Sequence, residues 1–217
     1  YGEVLKLSLY VMGAIFIFAR VVDAIQDPVI GLISDRFTRR GRRGRLTFVA
    51  LMTPLLGGGF YMLFDPPESI VGNHSLMAFW LLAALLLVHL GYSGVSISYH
   101  AHGAELTDDY NERTKVTVGR EVFGLLGMTL AVVLPTYLTF KLGESQGYEM
   151  LGLIFLPILL VLAAPTMLWA GPSVHPPVLH ANRNIFVTFF APLKNRLFRR
   201  LLLVFVVNGA ALGVAVT

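Results

Sequence analysis

The 217 residues contain no cysteine. That absence removes disulfide frameworks, thiolate metal sites and cysteine nucleophiles together. Charge is scarce as well. Only 14% of the residues are charged, against roughly 25% in an ordinary soluble domain. No Gly-x-Ser-x-Gly elbow occurs and no nucleophile–base set stands out, so the chain does not read as an enzyme. No basic leader with a short apolar stretch and a cleavage site opens it, so no signal peptide is read. What is plentiful is apolar: 55% of residues are hydrophobic and the mean hydropathy is +0.69. Disorder is excluded for the same reason. The formal charge of +4 and the pI near 9.5 would suit a nucleic-acid partner. The basic residues, however, sit in short loops between apolar runs, so the partner they fit is a bilayer surface and not a nucleic acid.

A membrane-spanning helix needs about 20 mostly apolar residues. Spans are expected at Leu5–Ile33, Leu46–Phe64, Leu76–Ala104, Thr117–Phe140 and Met150–Ala170, and a sixth starts near Leu201. The chain starts at Tyr1 beside one apolar run and stops at Thr217 inside another, which is expected of a piece of a longer protein. The fold class expected is therefore an all-α integral membrane bundle, incomplete, with about five full spans and the start of a sixth.

The loops set an orientation. Six of the 17 Lys and Arg fall in the ten residues Arg36–Arg45. Arg113 and Lys115 precede the fourth span, and Arg183, Lys194, Arg196, Arg199 and Arg200 precede the sixth. The Phe64–Ser75 loop has no Lys or Arg, and Lys141–Glu149 has Lys141 alone. Basic and non-basic loops alternate, and basic loops stay cytoplasmic. Between Pro172 and Arg200, Ile185, Phe186, Phe189, Phe190 and Leu193 recur at helical spacing, which predicts a cytoplasmic amphipathic connector at 173–200. The domain reading is thus 1–172 as one helical bundle, 173–200 as connector and 201–217 as the start of a second bundle. Gly127 and Ala131 give a small-residue face suited to close helix contact.

Polar groups inside the spans carry the functional reading. The first span holds Arg20, Asp23, Gln26 and Asp27 within eight residues. At 1.5 Å per residue, Asp27 lies about 10 Å and Asp23 about 16 Å from the loop at Ser34. A charge near the bilayer centre costs about 2.5–3.5 kcal/mol on insertion scales, so such groups are not filler. Asp23 and Asp27 are four apart and share a helical face. Such a pair suits a desolvated monovalent cation or a shared proton. Gln26 can add an oxygen. Two alternatives stand beside this reading. Asp27-Pro28 matches a helix N-cap, and Arg20–Asp23 matches a structural ion pair.

The third span carries His89, Ser93, Ser96 and His100, which fall within about 60° of one another on a helix. That stripe suits a wet interior face. His100 and His102 are placed on different faces, which argues against a histidine metal site. Arg120, just inside the fourth span, either snorkels to the interface or offers its planar fork to a polar solute.

Gly31-Leu-Ile-Ser-Asp35-Arg36, followed by Gly41-Arg42-Arg43, resembles the signature loop of the major facilitator superfamily. Ala19-Arg-Val-Val-Asp23-Ala-Ile-Gln-Asp27-Pro28 is similar to helix two of the glycoside–pentoside–hexuronide:cation symporters, the melibiose permease family. Ala104-Glu-Leu-Thr-Asp-Asp-Tyr-Asn-Glu-Arg-Thr114 with Arg120 is similar to that family's loop four–five, and Pro192-Leu-Lys-Asn195-Arg-Leu-Phe198 to its approach to helix seven. The resemblance implies a major facilitator-type bundle running from helix two into helix seven. It implies a cation site at Asp23, Asp27, Gln26 and Ser93, where Ser93 stands for a helix-four hydroxyl. It implies substrate contacts from Arg120, Ser96, His100 and Arg20, with Ser96 replacing an aspartate and His100 a tryptophan of the sugar pocket. Gly31, Asp35, Arg36, Gly41, Arg42 and Arg43 would form a cytoplasmic gating loop. The function expected is a secondary active transporter in a bacterial inner membrane. It would couple Na⁺ or H⁺ to uptake of a glycoside, pentoside or hexuronide, with no cofactor and no metal beyond Na⁺ at Asp23 and Asp27. The competing expectation is a non-transporting, carrier-derived subunit of a larger membrane complex.

Overall fold

The computed structural model describes residues 7–38, 41, 43–171 and 194–216. Arg42 and the expected amphipathic connector helix at 185–193 lie outside the described residues. The chain divides into two compact units, 1–177 and 178–217. In the first unit five helices follow one another: α1 (Leu9–Thr38), α2 (Gly44–Phe64), α3 (His74–Ala104), α4 (Tyr110–Leu142) and α5 (Glu144–Trp169). A single 3₁₀ turn, Glu68–Ile70, interrupts the α2–α3 connection. The second unit contains α6 (Arg196–Val216), which begins in the basic run ahead of the apolar residues. No strand occurs among the described residues.

The five helices of the first unit are each long and apolar enough to cross a bilayer. The protein is an integral, multi-pass membrane protein. Successive helices run in opposite directions, so the Arg36–Arg45 and Glu105–Arg113 connections share one end of the bundle, the basic end. Asn73 caps α3 by accepting from Ser75 N at 3.1 Å and Leu76 N at 3.2 Å. Asp109 caps α4 in the same way, at 2.8 Å from Asn111 N and 3.0 Å from Glu112 N. These side chains satisfy amides that have no partner within the helix. Gly143, at φ +89°, turns the chain from α4 into α5 in a conformation that side-chain-bearing residues avoid.

The centre of the bundle is α2, packed on α3 and on α5, with α1 against α3 and α4 against α5. Small residues set the approach of α2 and α3. A Cβ on Gly91 would lie 2.5 Å from Leu56 N, and one on Gly59 2.8 Å from Val88 N. On the other side of α2, Phe60 stacks on Phe155 with ring centroids 3.7 Å apart. Away from the basic end, Leu7 and Ile15 pack with Met77, Leu81 and Leu85 to form the apolar contact of α1 and α3. Among the described residues, nothing lies within 4 Å of where a Gly127 Cβ would stand, so the Gly127–Ala131 face has no partner helix within this unit. No residue of α4 is buried.

Candidate functional site

Three polar groups stand out among the described residues of the first unit, and α3 contributes to each. The first centres on Asp23. Helix α1 runs unbroken through Pro28, so Asp27 is interior to a helix and not its N-cap. Asp23 Oδ1 accepts from Gln26 Nε2 at 3.0 Å and from Ser93 Oγ at 3.4 Å. On the other oxygen, His89 Nδ1 stands 3.3 Å from Oδ2, and an Arg20 guanidinium nitrogen 3.9 Å. Three of the four expected cation-site residues, Asp23, Gln26 and Ser93, are thus in direct contact. The fourth, Asp27, differs from Asp23. Its Oδ1 is buried and has no hydrogen-bond partner among the described residues. A buried carboxylate oxygen without a donor is costly unless a cation or proton occupies it. The Arg20–Asp23 pair also exists, but the Arg20 side chain is 76% exposed and shares Asp23 with three closer partners.

The second centre is a cavity of about 400 Å³ at the basic end, between the C-terminal turns of α3, the first half of α4 and the end of α5. His100 and Arg120 both line it, with Arg113 and Thr117. The last two were not singled out as site residues, although Arg113, Thr117 and Arg120 are spaced i, i+4, i+7 and share one face of α4. Arg120 donates to Glu121 Oε1 at 2.8 Å and Arg113 to the Thr107 carbonyl at 3.1 Å, so each guanidinium keeps unused donors. His102 lines the same cavity as His100, despite the i, i+2 spacing, because the cavity wraps the end of α3. Ser96 is not among the lining residues and makes no side-chain hydrogen bond among the described residues. It sits half-buried on α3 between the two centres. From Ser93 to His100 is about 10 Å along the α3 axis.

A third polar group joins three helix ends. Arg45, only 4% exposed, is one residue into α2. Its Nε lies 3.0 Å from Glu105 Oε2 and its Nη2 2.7 Å from Glu105 Oε1. Its Nη1 reaches Asp35 Oδ1 at 2.8 Å and Ser34 Oγ at 3.3 Å. Ser34 in turn shares a 2.7 Å hydrogen bond with Ser98 on α3. Of the expected loop residues, Asp35 is therefore tied down by Arg45. Arg36, Gly41 and Arg43 are exposed, and Gly31 lies against Ile97. Gly44 lets α2 start against α1, since a Cβ there would fall 1.9 Å from the Phe37 carbonyl oxygen.

These centres sit in a chain whose relatives are known by sequence. The profile of the MFS/sugar transport protein family matches residues 1–217. The chain belongs to that family. Among curated relatives, an uncharacterized symporter of Synechocystis is 29% identical over 181 residues, 78% of this chain and 31% of its own. The isoprimeverose transporter of Lactiplantibacillus pentosus is 27% identical over 168 residues, 75% of this chain and 34% of its own. A putative glycoside/cation symporter of Escherichia coli, YagG, is 29% identical over 153 residues, 68% of this chain and 32% of its own. The chain spans about a third of the length of the curated relatives it matches. No solved structure gives a significant match. Membership of the MFS/sugar transport protein family agrees with the major facilitator-type bundle and with the symporter resemblance read from the signature loops. The family and these relatives are transporters, not enzymes.

Proposed function

We propose that this chain forms part of a secondary active transporter of a cell inner membrane, which couples Na⁺ or H⁺ influx to uptake of a sugar or glycoside-like solute by alternating access. The observation that carries the reading is the pair of carboxylates on α1. Asp23 is held by donors from two helices, and one turn away Asp27 keeps a buried oxygen with no donor among the described residues. That arrangement accepts one small cation without needing to bury a second countercharge. The relatives include a putative glycoside/cation symporter and an isoprimeverose transporter, which supports the same coupling and solute class. The cavity lined by Arg120, Arg113, Thr117 and His100 supplies donors for vicinal hydroxyls or a carboxylate, so a glycoside, pentoside or hexuronide fits. Ser96 and Arg20 would contribute only after rearrangement. A cation at Asp27 would neutralise the centre about 10 Å along α3 from the solute site and favour the state that binds both.

The test is uptake by the full-length protein. Asp23→Asn and Asp27→Asn keep shape and oxygen but remove charge. Each should abolish cation-stimulated uptake while the protein still inserts, because removing an intramembrane charge eases insertion. Wild-type cation dependence in both variants would show the pair to be structural.

A further inference from the structure

We propose that His89 is a positioning residue of the cation site: it fixes the Asp23 carboxylate and so sets the affinity for the coupling ion. This rests on the cation-coupled reading above.

Four side chains touch Asp23, and they divide by helix. Gln26 and Arg20 ride on α1 with Asp23 itself, so they cannot anchor it to the rest of the bundle. Ser93 and His89 come from α3, one turn apart, and each takes a different carboxylate oxygen. Together they fix the plane of the carboxylate. A carboxylate only accepts, so the ring nitrogen 3.3 Å from Oδ2 acts on it as an N–H group. Both side chains of this pair are only 19% exposed. Without the ring, Oδ2 would keep, among the described residues, only Arg20, at 3.9 Å and on a side chain 76% exposed. The carboxylate could then turn about its own χ2, and the oxygens offered to an ion would no longer be preorganised. His89 is thus distinct from a ligand. It acts through Asp23.

The experiment uses the full-length protein in proteoliposomes, with uptake of a transported glycoside measured against Na⁺ at fixed pH and against external H⁺ at fixed Na⁺. His89→Asn puts an amide N–H close to where Nδ1–H stood, while His89→Gln puts it near the Nε2 position. His89→Leu fills the space without a donor. Loss of this one polar contact to a charged group predicts that Leu and Gln raise the half-saturating cation concentration about tenfold, with Asn within about twofold of wild type. Maximal uptake per inserted protein should be retained in all three. A space-filling histidine would instead lower maximal uptake or insertion, with half-saturation unmoved and Asn no better than Leu; that result overturns the proposal. Should Leu fail to insert, the Asn–Gln contrast decides alone. Asp27→Asn is carried beside them. If it keeps wild-type cation dependence, the cation reading itself falls. If it loses that dependence while all His89 variants match wild type, only the role of His89 falls.

Discussion

At the scale of the residue, the least exposed charge in the described chain has no direct role in the proposed coupling. Arg45 is buried between Glu105, Asp35 and Ser34, each from a different helix or helix end than its own. Removing one partner from a buried ion pair costs about 3–5 kcal/mol, because the remaining charges stay buried. Arg45→Leu should therefore lower the thermal midpoint of the solubilised full-length protein far more than Arg36→Leu, whose side chain is exposed. Adding Glu105→Leu to Arg45→Leu should recover part of the loss, since the uncompensated carboxylate goes too. Arg120 gives a second prediction. Lysine keeps its charge but not the fork, so a bidentate role makes Arg120→Lys and Arg120→Gln both damage solute uptake. Unchanged uptake in both would leave Arg120 as an interface residue. Asp23 and Asp27 stand out in the sequence because charge inside an apolar run does, whereas Ser93 joins them only through the family resemblance. The burial of Arg45 is not legible there, because it sits at the end of a run of six basic residues and only the fold separates it from Arg36 and Arg43.

At the scale of the element, the existence of the helices followed from length and hydropathy but their limits did not: α2 begins two residues before the expected Leu46, α5 six before Met150 and α4 seven before Thr117, because polar first turns extend the helices beyond their apolar stretches. Which glycines matter did not follow. Gly58 and Gly59 are neighbours in sequence, yet a Cβ on Gly58 meets nothing within 4 Å while one on Gly59 lies 2.8 Å from the α3 backbone. Backbone cannot step aside as a side chain tip can. Gly59→Ala should destabilise the α2–α3 contact, whereas Gly58→Ala should be neutral or stabilise by up to about 1 kcal/mol through helix propensity. Thermal unfolding of the two variants side by side checks this, and equal effects would refute the close approach. The Gly127–Ala131 spacing allows a close helix contact that no described residue makes. Spacing reports that a close contact is allowed, not that a partner is there.

At the scale of the whole molecule, alternation of basic and non-basic loops gives an orientation that packing alone does not fix. The chain lacks cysteine, so single cysteines report topology without background. A cysteine at Arg40→Cys should resist impermeant reagents in intact cells, and one at Ser69→Cys should react; the reverse would invert the molecule. The fold class was legible because a bilayer allows few solutions for five long apolar segments. The position of the basic-end cavity was not, because it depends on three helix ends meeting, and His100 and His102 reach it from opposite sides of α3.

Pro28 lies inside α1, one residue past Asp27. Its ring nitrogen carries no hydrogen, so the carbonyl of Ala24 loses the donor it would have four residues on. In hydrocarbon an unsatisfied carbonyl costs several kcal/mol, so it disfavours facing lipid. The backbone therefore contributes its own preference for how α1 is rolled about its long axis, beside that of the two carboxylates. Replacing Pro28 with alanine would return Ala24 to the helical ladder and leave the roll of α1 to its side chains alone.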